Sequence, residues 1–216
     1  LCDRRQRQMC IRDRVLIGIT MALVLNLFYD YGSQRKALVE NMRYTEERLQ
    51  MILGEISAYL ANKEMQRNVW DDICALEKEV QGFIQDAYEY QDNTFTNLPD
   101  YYIRYFEMRA LQCDILHMLH YKIRKIREMP KEAHELANYI EYLIPFIHEK
   151  NDPQPQISSL HKMLKDKQSE ALPESRIEFE SKAMLLHIYM DLEEFLYTKK
   201  KFIDQTTEEQ KKLYWR

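Results

Sequence analysis

Glycine and proline are scarce. The 216 residues include only 4 Gly and 6 Pro, too few turn-formers for a sandwich or a barrel. A Gly-rich phosphate loop is excluded with them. No excess of positive charge is present either: 31 Lys+Arg stand against 35 Asp+Glu, a formal charge of -4. A nucleic-acid binder usually carries a net basic surface, so nucleic acid is not an expected partner. Zinc motifs, nucleophile elbows and kinase signatures are also missing. What is present is apolar material, 45% of the chain, enough for a sizeable core and too much for a disordered chain. The length suits one domain, or one domain plus an appendage. Long helices with few connections, an all-α class, follow.

Residues 1–14 (LCDRRQRQMCIRDR) stand apart. They carry five Arg, two Asp, and Cys2 and Cys10, half of the chain's 4 cysteines. They show no periodicity and resemble the translated remnant of a sequencing adapter, so they are set aside from fold reasoning. The functional alternative is a basic arm for anionic lipid. Without this segment the chain is three charges more acidic, and its cysteines reduce to Cys74 and Cys113. Two cysteines in helical runs make no disulfide framework and suit a reducing compartment. The native protein is expected to begin upstream.

Val15 to Tyr29 (VLIGITMALVLNLFY) is an uncharged apolar run. Its length as a helix is about 22 Å, short of the roughly 30 Å hydrocarbon layer. We read residues 15–31 as the C-terminal part of a transmembrane helix cut on its N-terminal side. Tyr29 and Tyr31 stand where interfacial aromatics collect, and Arg35, Lys36, Arg43 and Arg48 follow, which suits a cytoplasmic side. A buried core helix and a secretory signal are the competing readings, and no A-x-A-like cleavage site follows.

From Ser33 onward, apolar residues recur at three- and four-residue steps. Ser33 to about Asn62 carries the stripe Leu38, Met42, Thr45, Leu49, Ile52/Leu53, Ile56 and Tyr59/Leu60. The next stripe is Val69, Ile73, Leu76, Val80, Phe83/Ile84, Ala87 and Tyr90. A polar loop, Gln91 to Leu98, leads through Pro99-Asp100 into Tyr101 to Glu128. That segment is apolar around much of its circumference and so reads as the central helix. Lys131 to Lys150 reads as one helix kinked at Pro145, with Leu136, Ile140, Leu143 and Ile147 inward. Asn151 to Gln156 reads as a turn, Ile157 to Lys167 as a short helix, and Ala171 to Glu174 as a break. Ser175 to about Ile203 is the last long helix, with Ile177, Met184/Leu185, Ile188, Leu192 and Phe195/Leu196 inward. Thr206 and Thr207 cap a polar tail, 206–216. The expected architecture is a membrane helix leading through Tyr31-Gly32 into a bundle over 32–205. Four long, coiled-coil-like helices and shorter ones would pack up and down.

Chemistry-bearing residues are few. Asp114 and His117 lie three apart on the central helix, with His120 a turn further; His187 and Asp191 are four apart on the last. One Asp-x-x-His loosely matches half of a carboxylate-bridged metal site, so a metal at Asp114, His117 and His187 is the minority reading. Cys74 and Cys113 lack any flanking nucleophile signature and read as small packing residues. The Tyr88, Tyr90, Tyr101, Tyr102 and Tyr105 cluster suits packing, with an aromatic-ligand pocket as the alternative. Lys122, Arg124, Lys125 and Arg127, and Lys199 to Lys201, sit where cations favour a helix C-terminus; an anionic-lipid patch is the alternative.

The order of segments resembles a known family. LIGITMALVLNLFY (Leu16 to Tyr29) leads into a helix containing NMRYTEERL (Asn41 to Leu49). YYIRYFEMRALQCDIL (Tyr101 to Leu116) and LHIYMDLEEFLYTKKKFI (Leu186 to Ile203) follow. This resembles the C-terminal part of the bacterial aromatic acid exporter family, over roughly residues 15 to 205. The resemblance implies an inner-membrane protein whose multi-span N-terminal half precedes a cytoplasmic helical domain with an assembly, gating or regulatory role. It implies no enzyme activity, no catalytic, cofactor-binding or metal residues and no cofactor. The expected partners are the lipid bilayer, the N-terminal membrane domain of the same protein and further copies of the chain. The alternative is a single-span helical sensor or adaptor starting near Val15 or Met21.

Overall fold

The computed structural model describes residues 14–22, 31–61, 68–94, 100–167 and 172–215. The chain divides into two compact units, Leu1–Lys36 and Ala37–Arg216. In the first, residues 14–22 form an exposed helix, α1, where the Thr20 hydroxyl donates to the Leu16 carbonyl at 2.7 Å. Residues 1–13, read as an adapter remnant, and 23–30, the second half of the expected membrane run, lie outside the described residues. Among the described residues no helix is long and apolar enough to cross a membrane.

The described residues are helical and contain no strand. The long helices are α2 (Tyr31–Leu60), α3 (Val69–Asn93), α4 (Tyr101–Ile123) and α7 (Arg176–Gln205); the shorter ones are α5 (Ala133–Leu143), α6 (Gln154–Lys167) and α8 (Glu208–Tyr214). Within Ala37–Arg216, α4 packs against both α3 and α7, and α6 lies on α7. Paired contacts show the up-down order: Arg48 meets Asp72 and Tyr44 meets Glu79, Glu77 meets His117 and Tyr88 meets Glu107, and Lys122 meets Asp191 while Arg104 meets the Gln205 carbonyl.

The period of the apolar residues explains this packing. On α3, Val69, Ile73, Leu76, Val80, Ile84, Ala87 and Tyr90 are all buried, a stripe at helical spacing that requires a partner surface. The α2 stripe behaves alike, with Leu38, Met42, Thr45, Leu49, Leu53 and Ile56 inside. Local chemistry sets the helix starts. Asn68 accepts from the Trp70 amide, with Asp71 and Asp72 in the first turn against the helix dipole. Ser175 caps α7 through the Glu178 amide. Thr207 and Gln210 form a reciprocal capping box at α8. Thr206, Gln210 and Tyr214 of the C-terminal segment are buried.

Several boundaries differ from the periodic reading. The central helix stops at Ile123, not Glu128, because the Lys125 and Ile126 amides bond three residues back, to Lys122 and Ile123. Such bonds tighten the last turn and let Ile126 and Met129 pack on the core. Lys131 to Lys150 is not one kinked helix. α5 ends at Leu143 and a single 3-10 turn, Ile144–Phe146, carries Pro145. Proline lacks the amide a continuing helix would need, so here it terminates the helix, leaving Ile147 buried beyond it. The helix expected from Ile157 starts at Gln154. Pro155 is tolerated in a first turn, and Asp152 accepts from the Gln154 amide at 3.0 Å. Ile177, expected inward on α7, is 40% exposed; it lies in the first turn, where the core has tapered off.

Leu116 is fully buried on the central helix, whereas Leu172 is 88% exposed. Leu116→Ala is expected to destabilise the purified chain by about 2–5 kcal/mol. Leu172→Ala is expected to stay within about 0.5 kcal/mol. Urea unfolding followed by circular dichroism measures both.

Candidate functional site

One face of α4 carries Tyr105, Arg109 and Gln112, spaced four and three residues apart so that they line up. All three are buried, and Arg109 is only 1% exposed. An arginine stays charged at any physiological pH, so burying it requires partners for its donors. Its Nε donates to the Tyr105 hydroxyl at 3.0 Å and Nη1 to Gln112 Oε1 at 2.8 Å. Nη2 reaches Glu46 Oε1 of α2 at 3.1 Å. The Tyr105 hydroxyl donates a hydrogen bond to the same Glu46 oxygen at 2.8 Å. Gln112 Nε2 continues the chain to the Phe195 carbonyl of α7 at 2.9 Å. Burial pushes the Tyr105 phenol well above its ordinary pKa, which keeps it a donor.

A second buried cation lies nearby. Lys199 of α7 is 5% exposed, donates to the Glu149 carbonyl and covers the Phe202 ring. Burial, and then the Arg109 charge, hold its pKa well below the ordinary lysine range. Lys199 therefore does not belong to a surface basic run, as the sequence suggested. Lys200 instead pairs outward with Asp204 and Asp152. Between Arg109, Gln112, Ile147, His148, Gln156 and Lys199 lies a cavity of about 10 Å³, room for at most one water. The side chains themselves fill this centre.

The tyrosine cluster is likewise packing. Tyr101 stacks on Tyr214 at 4.5 Å with planes 8° apart, and Tyr102 meets Tyr214 edge-on at 5.0 Å. Tyr90 packs edge-on against Tyr102 at 5.6 Å. Trp215 Nε1 donates to the Tyr101 hydroxyl at 2.8 Å. Alongside, Arg104 bonds the Gln205 carbonyl and Gln210 Oε1, and Gln210 Nε2 bonds Asp100. Together these dock α8 on the start of α4. Tyr88 stands apart, exposed, with its hydroxyl 3.4 Å from Glu107.

The residues of the metal reading are not gathered. His117 Nε2 meets Glu77 at 3.0 Å and lies edge-on to Trp70 at 4.6 Å. Trp70 also contacts His120. Asp191 pairs with Lys122, while Asp114 and His187 are exposed. Among the described residues no group of three or more His, Cys, Asp or Glu side chains is placed to hold a metal. Cys74 is exposed and Cys113 buried. Burial pushes the Cys113 thiol up to about 12, which leaves it a poor nucleophile. Of the remaining basic residues, Lys125 lies over the Tyr121 ring and Arg127 approaches Glu180 at 3.7 Å.

A helical bundle keyed by a buried arginine, with its interior filled, is the class that fold and site define. Residues 35–200 match the family described as "Putative aromatic acid exporter C-terminal domain". The chain belongs to that family. It is 27% identical over 190 residues to "Uncharacterized protein YqjA" of Bacillus subtilis (strain 168), a stretch covering 87% of this chain and 58% of that protein. This chain therefore spans less than two thirds of that relative's length. The solved "Crystal structure of putative membrane protein from Clostridium difficile 630" shares the fold, with a TM-score of 0.67 at 21% identity. That match covers 77% of this chain and 99% of the other.

Two measurements check the buried centre. Arg109→Met leaves Glu46 without its cation and is expected to cost about 3–5 kcal/mol. In Arg109→Met/Glu46→Leu the two losses should fall short of additive by about 0.5–3 kcal/mol, read from a denaturation double-mutant cycle. Glu149 has its pKa raised, by burial and then by the Glu46 charge. Its folded-state contribution is therefore full below the ordinary carboxylate range and is lost as pH rises through the folded value. Glu149→Gln should match the wild type near pH 4 and gain on it toward pH 7; parallel stability curves would contradict the burial.

Proposed function

We propose that this chain is the cytoplasmic helical domain, with the end of the last membrane helix, of an exporter-like bacterial inner-membrane protein. The observation that carries this reading is the family match over residues 35–200, directly after the uncharged apolar run Val15 to Tyr29. Its partners are the bilayer and the N-terminal membrane half of the same protein. Its role is non-enzymatic, in assembly or gating of that half. The filled interior supports this. The cavity beside Arg109, in the core, has the volume of one water, too small for a small-molecule ligand, and the larger hollows are open grooves at the surface. The net negative charge also disfavours capture of an anionic aromatic acid.

The test uses the full-length protein in bacterial membranes. It is expected to stay in the pellet after alkaline carbonate, and the bundle is expected to be cleaved by protease only from the cytoplasmic face. Removing residues 37–216 should reduce efflux of a labelled aromatic carboxylate from preloaded cells. Release by carbonate, or cleavage from the outer face, would overturn the location. Unchanged efflux in the truncated protein would overturn the role.

A further inference from the structure

The central helix is not covered all round. With α3 on one flank and α7 on the other, α4 still exposes Glu107, Leu111, Asp114, Met118 and Tyr121, and Lys125 follows in the turn just past its end. The five helical positions step by four, three, four and three residues, the spacing of a coiled-coil seam. At about 100° per residue they lie within about 40° of one line along the helix. Leu111, Met118 and Tyr121 are 55%, 54% and 55% exposed, so large apolar side chains recur along a seam of some four turns. Beside it runs an open groove of about 390 Å³ between α4 and α7, lined by Leu111, Ile115 and Met118 and by Asp191, Glu194 and Thr198.

We infer that this seam is the contact surface for a second copy of the chain, packed antiparallel about a two-fold axis at residue 116 of α4. The order of charges along the seam carries the inference. Glu107 and Asp114 stand toward its N-terminal end, and Lys125 stands just past its C-terminal end, with Lys122, paired to Asp191 of the same chain, alongside. A parallel copy would set like against like. An antiparallel copy centred on residue 116 sets Glu107 against Lys125 of the second copy and Leu111 against its Tyr121. Asp114 then lies beside Met118 of the second copy, within a turn of its Lys122. By symmetry each pair occurs twice, as an isologous interface requires. Side chains of the second helix enter the groove beside α4, ridge into groove. Within the chain Glu107 meets Tyr88 at 3.4 Å, Lys125 lies over Tyr121, and Lys122 is held in an ion pair with Asp191.

The inference gives the proposed assembly role its partner and rests on that part of the reading. The test is the concentration dependence of mass, by sedimentation equilibrium of the full chain in detergent. The wild type is expected to dimerise. Leu111→Asp should abolish the dimer, with helical content unchanged by circular dichroism. Glu107→Lys and Lys125→Glu should each weaken it about tenfold, since two pairs are lost and two repulsions gained. The double exchange Glu107→Lys/Lys125→Glu should restore it, and the difference should shrink in 1 M salt. A chain that stays monomeric overturns the inference. So does a dimer indifferent to Leu111→Asp, or a double exchange that restores nothing. Binding of a monomeric chain to anionic lipid vesicles that Leu111→Asp removes would assign the seam to lipid and equally overturn it. Carbonate retention of these variants reports the membrane reading separately, because the seam lies wholly within Ala37–Arg216.

Discussion

The buried charge of Arg109 is the constraint around which the bundle is arranged. A guanidinium withdrawn from water must be met by acceptors on more than one element. Here Glu46 comes from α2, and Tyr105 and Gln112 come from α4 itself. Gln112 then hands the network to the α7 backbone at Phe195. A slide of any of these helices by one turn would strand a charge or an amide in the core. Apolar stripes alone allow such slides at small cost, because neighbouring turns look alike. The polar chain through Arg109 distinguishes one register from the next.

The aromatic block at the other end of this network has a complementary role. Tyr101, Tyr102 and Tyr214 share ring faces and edges, and their area supplies the hydrophobic part of the junction. The hydroxyl of Tyr101 and the indole of Trp215 satisfy each other. Charged groups cluster behind the block: burial and then the Glu46 charge raise the Glu149 pKa, and burial and then the Arg109 charge lower that of Lys199. The result is a rigid, water-poor hub where α2, α4, α7 and α8 converge.

The periodicity of apolar residues was legible from the start and determined the all-α class, the four long helices, and most of the core. The α3 stripe from Val69 to Tyr90 lies inside as spaced, and so do Leu136, Ile140, Leu143 and Ile147. Thr207 with Gln210 declared its own capping box. The words of sequence around Tyr101 to Leu116 and Leu186 to Ile203 pointed to the family. Each of these rests on interactions within a turn or two of chain, or on burial that repeats with the helix, and such signals are local.

Tertiary structure decided the rest. That Pro145 would end α5 rather than bend it depended on the chain turning there to bury Ile147, whose carbonyl accepts a hydrogen bond from Gln50 of α2. That Lys199 would be buried while Lys200 stayed at the surface depended on the Glu149 carbonyl and the Phe202 ring lying beneath it. Arg109 carried one faint signal, an arginine amid the apolar turns of the central helix, but its meaning required Glu46, 63 residues away. The same holds for the exposed seam. A helix apolar all round reads as central, and only the placement of α3 and α7 showed which stripe of α4 was left uncovered. Pairing between distant residues is set by how whole faces dock, and no local period encodes it.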